Sequence, residues 1–166
     1  MSDPLLYQLN DRLSKSLEKD VLIQSTLDRL RTTLQVDRVV LSYFYRQWKG
    51  RVTFESLSSI ELSIYGSTGA DDCFNNEYAT LYEAGRIRAI DDIATEPLSP
   101  CHREFLESMN VRSNLVAPIL TPDGLWGLLV AHHCQAIRPW SAADIAPLED
   151  SAKILADRIY TISVKE

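Results

Sequence analysis

The sequence has little cysteine, little histidine and no excess of positive charge. Its three cysteines, an odd number at wide spacing, do not make a disulfide framework. A cysteine with a role is then expected to be a reactive thiol or a ligand, in a reducing cytoplasm. Lys and Arg number 17 against 23 Asp and Glu, a net charge of −6. That balance excludes an ordinary nucleic-acid binder, because phosphate contacts need a basic surface. No apolar run approaches the roughly 18–20 residues of a membrane span. The start, Met1-Ser2-Asp3-Pro4, lacks the basic and apolar character of a signal peptide. No internal repeat, low-complexity stretch or second domain is visible. What is present is 166 residues, 45% hydrophobic and 24% charged, the size and balance of one domain with a sizeable core.

Periodicity supplies the elements. Asp3-Pro4 opens a helix with Leu5, Leu9, Leu13 and Leu17 in one stripe. Lys19-Asp20 interrupts that stripe, and Asp20 is expected to cap a second helix with Val21, Ile23, Leu27, Leu30 and Leu34 inward. Such a pair packs on the core or against a second copy of the chain, giving a homodimer; the sequence leaves both open. Residues 38–45 are β-branched and aromatic and predict a strand. Trp48-Lys49-Gly50 turns the chain into a second strand over 51–57. Residues 58–70, rich in Ser, Gly and Thr, predict a loop with one short helical turn. A helix follows over 74–84, closed by Gly85, then a short strand over 87–90. Strands over 115–120 and 125–132 flank the turn Thr121-Pro122-Asp123-Gly124. The second of them is apolar on both faces and so belongs in the middle of a sheet. Ser141 and Asp144 form a capping-box-like start to a terminal helix from 142 to about 163, with Pro147 in its second turn. The order predicts an α+β fold, an antiparallel sheet with helices on its faces.

The stretch from Asp71 to Asn114 carries the chemistry. Ser99-Pro100 reads as the cap and first residue of a helix. Cys101 then lies in the first turn, where unpaired N–H groups and the helix dipole favour a thiolate. His102 follows it, with Phe105, Leu106 and Met109 on an apolar face and Asn110 as the stop. Taken singly, such a cysteine is more often a small core residue, and a lone histidine more often a satisfied polar group. Cys134 is assigned a structural role. His132-His133-Cys134 does not make a zinc site, since neighbours on a strand point to opposite faces.

Read together, these residues resemble the bilin-binding GAF domains of cyanobacteriochromes. Cys101-His102 resembles the bilin-attachment pair. Residues 125–133 (LWGLLVAHH) are similar to the strand that closes phytochrome-type pockets, and the step from Cys101 to His132 matches the family's step to a second pocket histidine. Asp71-Asp72-Cys73-Phe74 resembles the Asp-x-Cys-Phe motif of the two-cysteine subfamily. The resemblance runs over nearly the whole chain.

What the resemblance implies is a photoreceptor rather than an enzyme. Cys101 is expected to hold a linear tetrapyrrole, phycocyanobilin or its isomer phycoviolobilin, by a thioether. His102 is expected beside the central rings and His132 at the outer ring. Asp71 is expected to bond the ring N–H groups. Cys73 is expected to supply a second, light-sensitive thioether that shortens the conjugation, so that a blue- or violet-absorbing state alternates with a green- or longer-wavelength one. Tyr82, Phe74 and Asn114 are expected around the pigment, and Arg112 at a propionate. The chain is expected to be one sensory module, residues 1–166, feeding a downstream signalling domain in the same or a partner protein. Two rivals stand beside this reading. One is a thiol enzyme that reduces free methionine sulfoxide through Cys73 and Cys101. The other is a GAF module that binds a cyclic nucleotide or another protein.

Overall fold

In the strand Arg38–Arg46 (β1), alternate side chains point to opposite faces. Val39 and Leu41 meet helices on one face, while Val40 and Phe44 meet a different set of elements on the other. That alternation, repeated in each strand, divides the molecule into a packed side and a site side. The computed structural model describes residues 3–68 and 76–164.

The chain runs through helix α1 (Pro4–Leu34), β1, β2 (Lys49–Leu57), a single 3-10 turn (Ile60–Leu62), α2 (Asn76–Glu83), β3 (Arg88–Ile90), α3 (Pro100–Ser108), β4 (Ser113–Thr121), β5 (Gly124–His133) and α4 (Ala142–Val164). The five strands form one antiparallel sheet in the order β2-β1-β5-β4-β3. This is the expected α+β arrangement, with the 125–132 strand in the centre. Strand β5 pairs on both edges, and it is apolar on both faces because Leu129 and Ala131 pack in the helix-covered core and Leu128 and Val130 in the apolar cluster on the other side.

On the packed side, Ile23, Leu27, Leu30 and Leu34 of α1 and Leu148, Ala152, Leu155 and Ile159 of α4 cover Val39, Leu41, Leu115, Ala117, Leu129 and Ala131. Helix α4 starts as its sequence predicts. The Asp144 carboxylate accepts from both the Ser141 N–H (2.9 Å) and the Ser141 hydroxyl (3.0 Å). The β4–β5 turn closes on Gly124 at φ 120°, a conformation that side chains disfavour.

The two N-terminal helices expected from Lys19-Asp20 are one helix of 31 residues. It is capped by the Asp3 carboxylate, which accepts from Leu5 N–H at 2.9 Å. An interior Asp costs at most about 0.7 kcal/mol against alanine, and residues 5–34 hold neither glycine nor proline. Lys19-Asp20 therefore marks a change of surroundings, not a helix end. Leu5, Leu9, Leu13 and Leu17 before it are exposed, and Ile23 to Leu34 after it carry the buried face. The second strand also begins earlier than expected, at Lys49, so Gly50 lies inside it.

Candidate functional site

The site side of the sheet is apolar but not filled. Val40 and Phe44 of β1, Val116 of β4 and Leu128 and Val130 of β5 form the floor of a cleft. Tyr78 and Tyr82 of α2, Phe105 and Leu106 of α3, and Ile64, Ser67 and Thr68 of the loop after β2 form its walls. The cleft is partly open to solvent. Its polar groups are few, and two of them are histidines.

Helix α3 positions the first. The Ser99 hydroxyl accepts from His102 N–H at 3.3 Å, and Pro100 takes the first helical position. Asn110 ends the segment at φ 59°. This start leaves Cys101 exposed in the first turn and turns His102 toward the cleft, which it lines. Burial, followed by the positive charges of Arg88 and Arg86, lowers the His102 pKa, so the ring is neutral at physiological pH. The Cys101 sulfur is disulfide-bonded in this structure, which corrects the reading of the cysteines as thiols or ligands only.

Strand β5 positions the second. His132 is 3% exposed, and its Nδ1 accepts a hydrogen bond from Arg38 Nε–H at 3.1 Å. Burial, and then the Arg38 charge, drives its pKa well down. Asn114 of β4 is the register partner of His132 and lines the same cleft. Its Oδ1 is buried with no hydrogen-bond partner among the described residues. A buried carbonyl oxygen without a donor costs about 1–3 kcal/mol, which favours a ligand that brings one. Tyr82 is also buried, and its phenol is pushed up to about 12 by that burial. It is a protonated hydroxyl at any physiological pH.

His102, His132, Tyr82 and Asn114 thus line one cleft. Arg112 does not. Its Nε–H donates to the Asp92 carboxylate at 3.0 Å, outside the cleft lining. Asp71, Cys73 and Phe74 lie outside the described residues. Cys134 is a free, half-buried cysteine whose thiol is pushed up by burial, with its backbone N–H on Asp37. His132 and His133 face opposite ways, His133 standing 3.4 Å from the Asp37 carboxylate. Sequence reasoning passed over Arg38 and the chemistry of Tyr78. A lone arginine opening the β-branched run 38–45 was the available signal for the first.

Comparison with protein families matches residues 18–159 to the GAF domain. The chain belongs to the GAF domain family. This GAF domain is 49% identical over 156 residues to an uncharacterized protein of Picosynechococcus, covering 94% of its own length and 96% of that protein. It is also 36% identical to a putative methyl-accepting chemotaxis protein of Synechocystis, over 85% of its own length but only 14% of that longer protein. Among solved structures it is similar to the blue-light absorbing form of the Thermosynechococcus elongatus PixJ GAF domain, with a TM-score of 0.83, 28% identity and coverage of 92% and 93% of the two chains. It is equally similar to a phycocyanobilin-bound GAF domain from a cyanobacterial phytochrome, with a TM-score of 0.82, 30% identity and coverage of 97% and 94%.

Proposed function

We propose that this GAF domain is a bilin-binding photosensor. The observation that carries the reading is the cleft itself. An apolar floor, two neutral histidines and an unpartnered buried carbonyl oxygen line one cleft, and Cys101 directly precedes one of those histidines on α3. These groups fit a linear tetrapyrrole, which is long, largely apolar, and studded with carbonyl and N–H groups. When bound, such a pigment supplies visible absorption and light-driven isomerisation of a double bond.

The chain's own residues have separable tasks. Cys101, once reduced, adds its sulfur to the pigment's vinyl or ethylidene side chain. One S–C bond forms, and the thiol proton goes to the adjacent carbon. His102 packs against the pigment as a neutral ring, and Tyr82 offers a phenolic O–H. Asn114 Oδ1 accepts an N–H. His132 donates from the nitrogen that Arg38 leaves free. Val40, Val116 and Val130 exclude water. Arg86 and Arg88, whose charges reach His102, supply the positive field for acidic side chains of the ligand, although Arg88 is paired with Glu96 at 3.3 Å as Arg112 is with Asp92 at 3.0 Å.

The finer reading keeps the two-cysteine motif. Cys73 supplies a second, reversible thioether, Asp71 accepts ring N–H groups and Phe74 walls the pigment. The pigment is phycocyanobilin or phycoviolobilin, and the states absorb in the blue or violet and in the green or beyond. Likeness to a PixJ domain described as blue-light absorbing supports this. The chain acts without enzymatic turnover, as one cytoplasmic module serving a signalling domain. Support for the module comes from longer relatives, of which it matches only a small part.

The test is co-production with phycocyanobilin under reducing conditions. The expected result is a coloured protein whose pigment stays attached on a denaturing gel, is lost from Cys101→Ala, and photoconverts reversibly. A blue or violet band lost in Cys73→Ala supports the second thioether. Reversible colour indifferent to that variant removes it. The disulfide at Cys101 is the one observation that favours a thiol enzyme instead. A colourless product that reduces free methionine sulfoxide would overturn the photosensor reading.

A further inference from the structure

Arg38 is 1% exposed, an unusual place for a guanidinium. Its donors are divided among three elements. Nε–H goes to His132 Nδ1 at 3.1 Å, one terminal nitrogen to the Leu62 carbonyl at 2.6 Å, and the other to the Met109 carbonyl at 2.8 Å. Leu62 ends the 3-10 turn after β2, and Met109 caps α3. Those two carbonyls fix the plane of the guanidinium. Arg38 and His132 are also register partners on β1 and β5, so neither side chain has to reach for the other.

A guanidinium has donors only. His132 Nδ1 must therefore be the acceptor, which makes it the bare nitrogen and places the ring proton on Nε2. The other tautomer would set an N–H against an N–H in a buried place. Protonation of Nδ1 would add a second positive charge to the same contact.

We propose that Arg38 is a positioning residue that fixes His132 as its neutral Nε2–H tautomer, with that N–H as the donor the cleft offers a ligand. The ligand group taken at this end of the cleft is therefore an acceptor, such as a carbonyl oxygen. The identity of that ligand rests on the pigment reading; the tautomer is a property of the chain alone. Arg38 also links the two histidines of the cleft, because α3 carries His102 near its start and gives Arg38 the Met109 carbonyl at its end.

The test reads the tautomer directly. The full chain is labelled with nitrogen-15, and the imidazole resonances are followed with and without phycocyanobilin, those of His132 being assigned by their loss in His132→Gln. The expected wild-type result is one tautomer, with Nε2 protonated and Nδ1 bare, in both samples. Arg38→Met is expected to mix the tautomers, while Arg38→Lys, which keeps a donor, restores the wild-type pattern. A wild-type ring protonated at Nδ1 overturns the proposal. So does a single unchanged tautomer in folded Arg38→Met. If that variant does not fold, the wild type and Arg38→Lys decide. Failure of the pigment reading is distinct: no pigment binds, and the apoprotein still shows the fixed tautomer.

Discussion

The rings of Tyr78 and His102 meet edge to face, their centroids 5.9 Å apart and their planes at 75°. The contact joins α2 to α3 across the cleft. It shields an imidazole whose pKa is lowered by burial and by two neighbouring arginines, while His132, on the floor, is lowered further.

Both histidines therefore prefer to be neutral in the folded chain. In the unfolded chain they take up a proton near pH 6.5. A depressed folded-state pKa contributes stability that is complete above the unfolded value and is lost as pH falls through the folded value. The urea midpoint is expected to fall steadily on acidification from pH 7.5 to 5. In His102→Gln the fall is expected to be shallower, because one of the two protons no longer discriminates. An unchanged slope in that variant would show that His102 does not titrate differently in the two states.

Gly127 is demanded by contact. It lies in β5, opposite Tyr43 of β1 and Ile119 of β4. A Cβ placed there would stand 2.5 Å from the Ser42 carbonyl oxygen, a backbone atom that cannot move without parting the central strands. Gly127→Ala is expected to destabilise by about 1–3 kcal/mol, the cost of overpacking. Chemical denaturation measures it, and the cleft floor, built on the same two strands, is expected to lose ligand affinity as well.

Arg138 fastens the ends of the two long helices. It donates to the Leu34 carbonyl at the end of α1 (2.8 Å) and in a fork to both Asp144 oxygens in the first turn of α4 (2.9 and 3.0 Å). The Arg138 hydrogen bond is the leading cause that holds Asp144 at about 2. Its contribution is present above roughly pH 4 and is lost as pH falls through about 2. Asp144→Ala, which removes both the fork and the Ser141 cap, is expected to cost about 1–2 kcal/mol at neutral pH. A variant as stable as wild type would show that the pair adds nothing.

The first half of α1 is expendable for folding. Leu9, Leu13 and Leu17 are each more than half exposed, whereas the buried residues of the helix begin at Ile23. Replacing Leu13 and Leu17 with Gln is expected to change the denaturation midpoint by about 0.5 kcal/mol or less. A larger loss would reveal a packing role for this half of the helix.

Local chemistry was legible in the sequence, because its partners lie within a few residues. Ser99 and Pro100 start α3, Ser141 and Asp144 start α4, Gly124 turns the β4–β5 hairpin, and the apolar run 125–132 is the central strand. His102, His132, Tyr82 and Asn114 were named as one set by the family resemblance rather than by local chemistry, and they line one cleft. The polar pair Lys19-Asp20 misled, because polarity reports where a helix meets water and not where it ends. Distant pairings were out of reach. Arg38 and His132 are 94 residues apart, and nothing local says that a guanidinium will settle on an imidazole. Arg112, expected at a propionate, stands 3.0 Å from Asp92, a pairing across 20 residues that nothing local announced. Register and sheet order decided these contacts, since they choose which distant side chains share a face. The sequence determined the elements and the candidate residues; the tertiary structure decided which way each ring nitrogen faces and which charges are already paired.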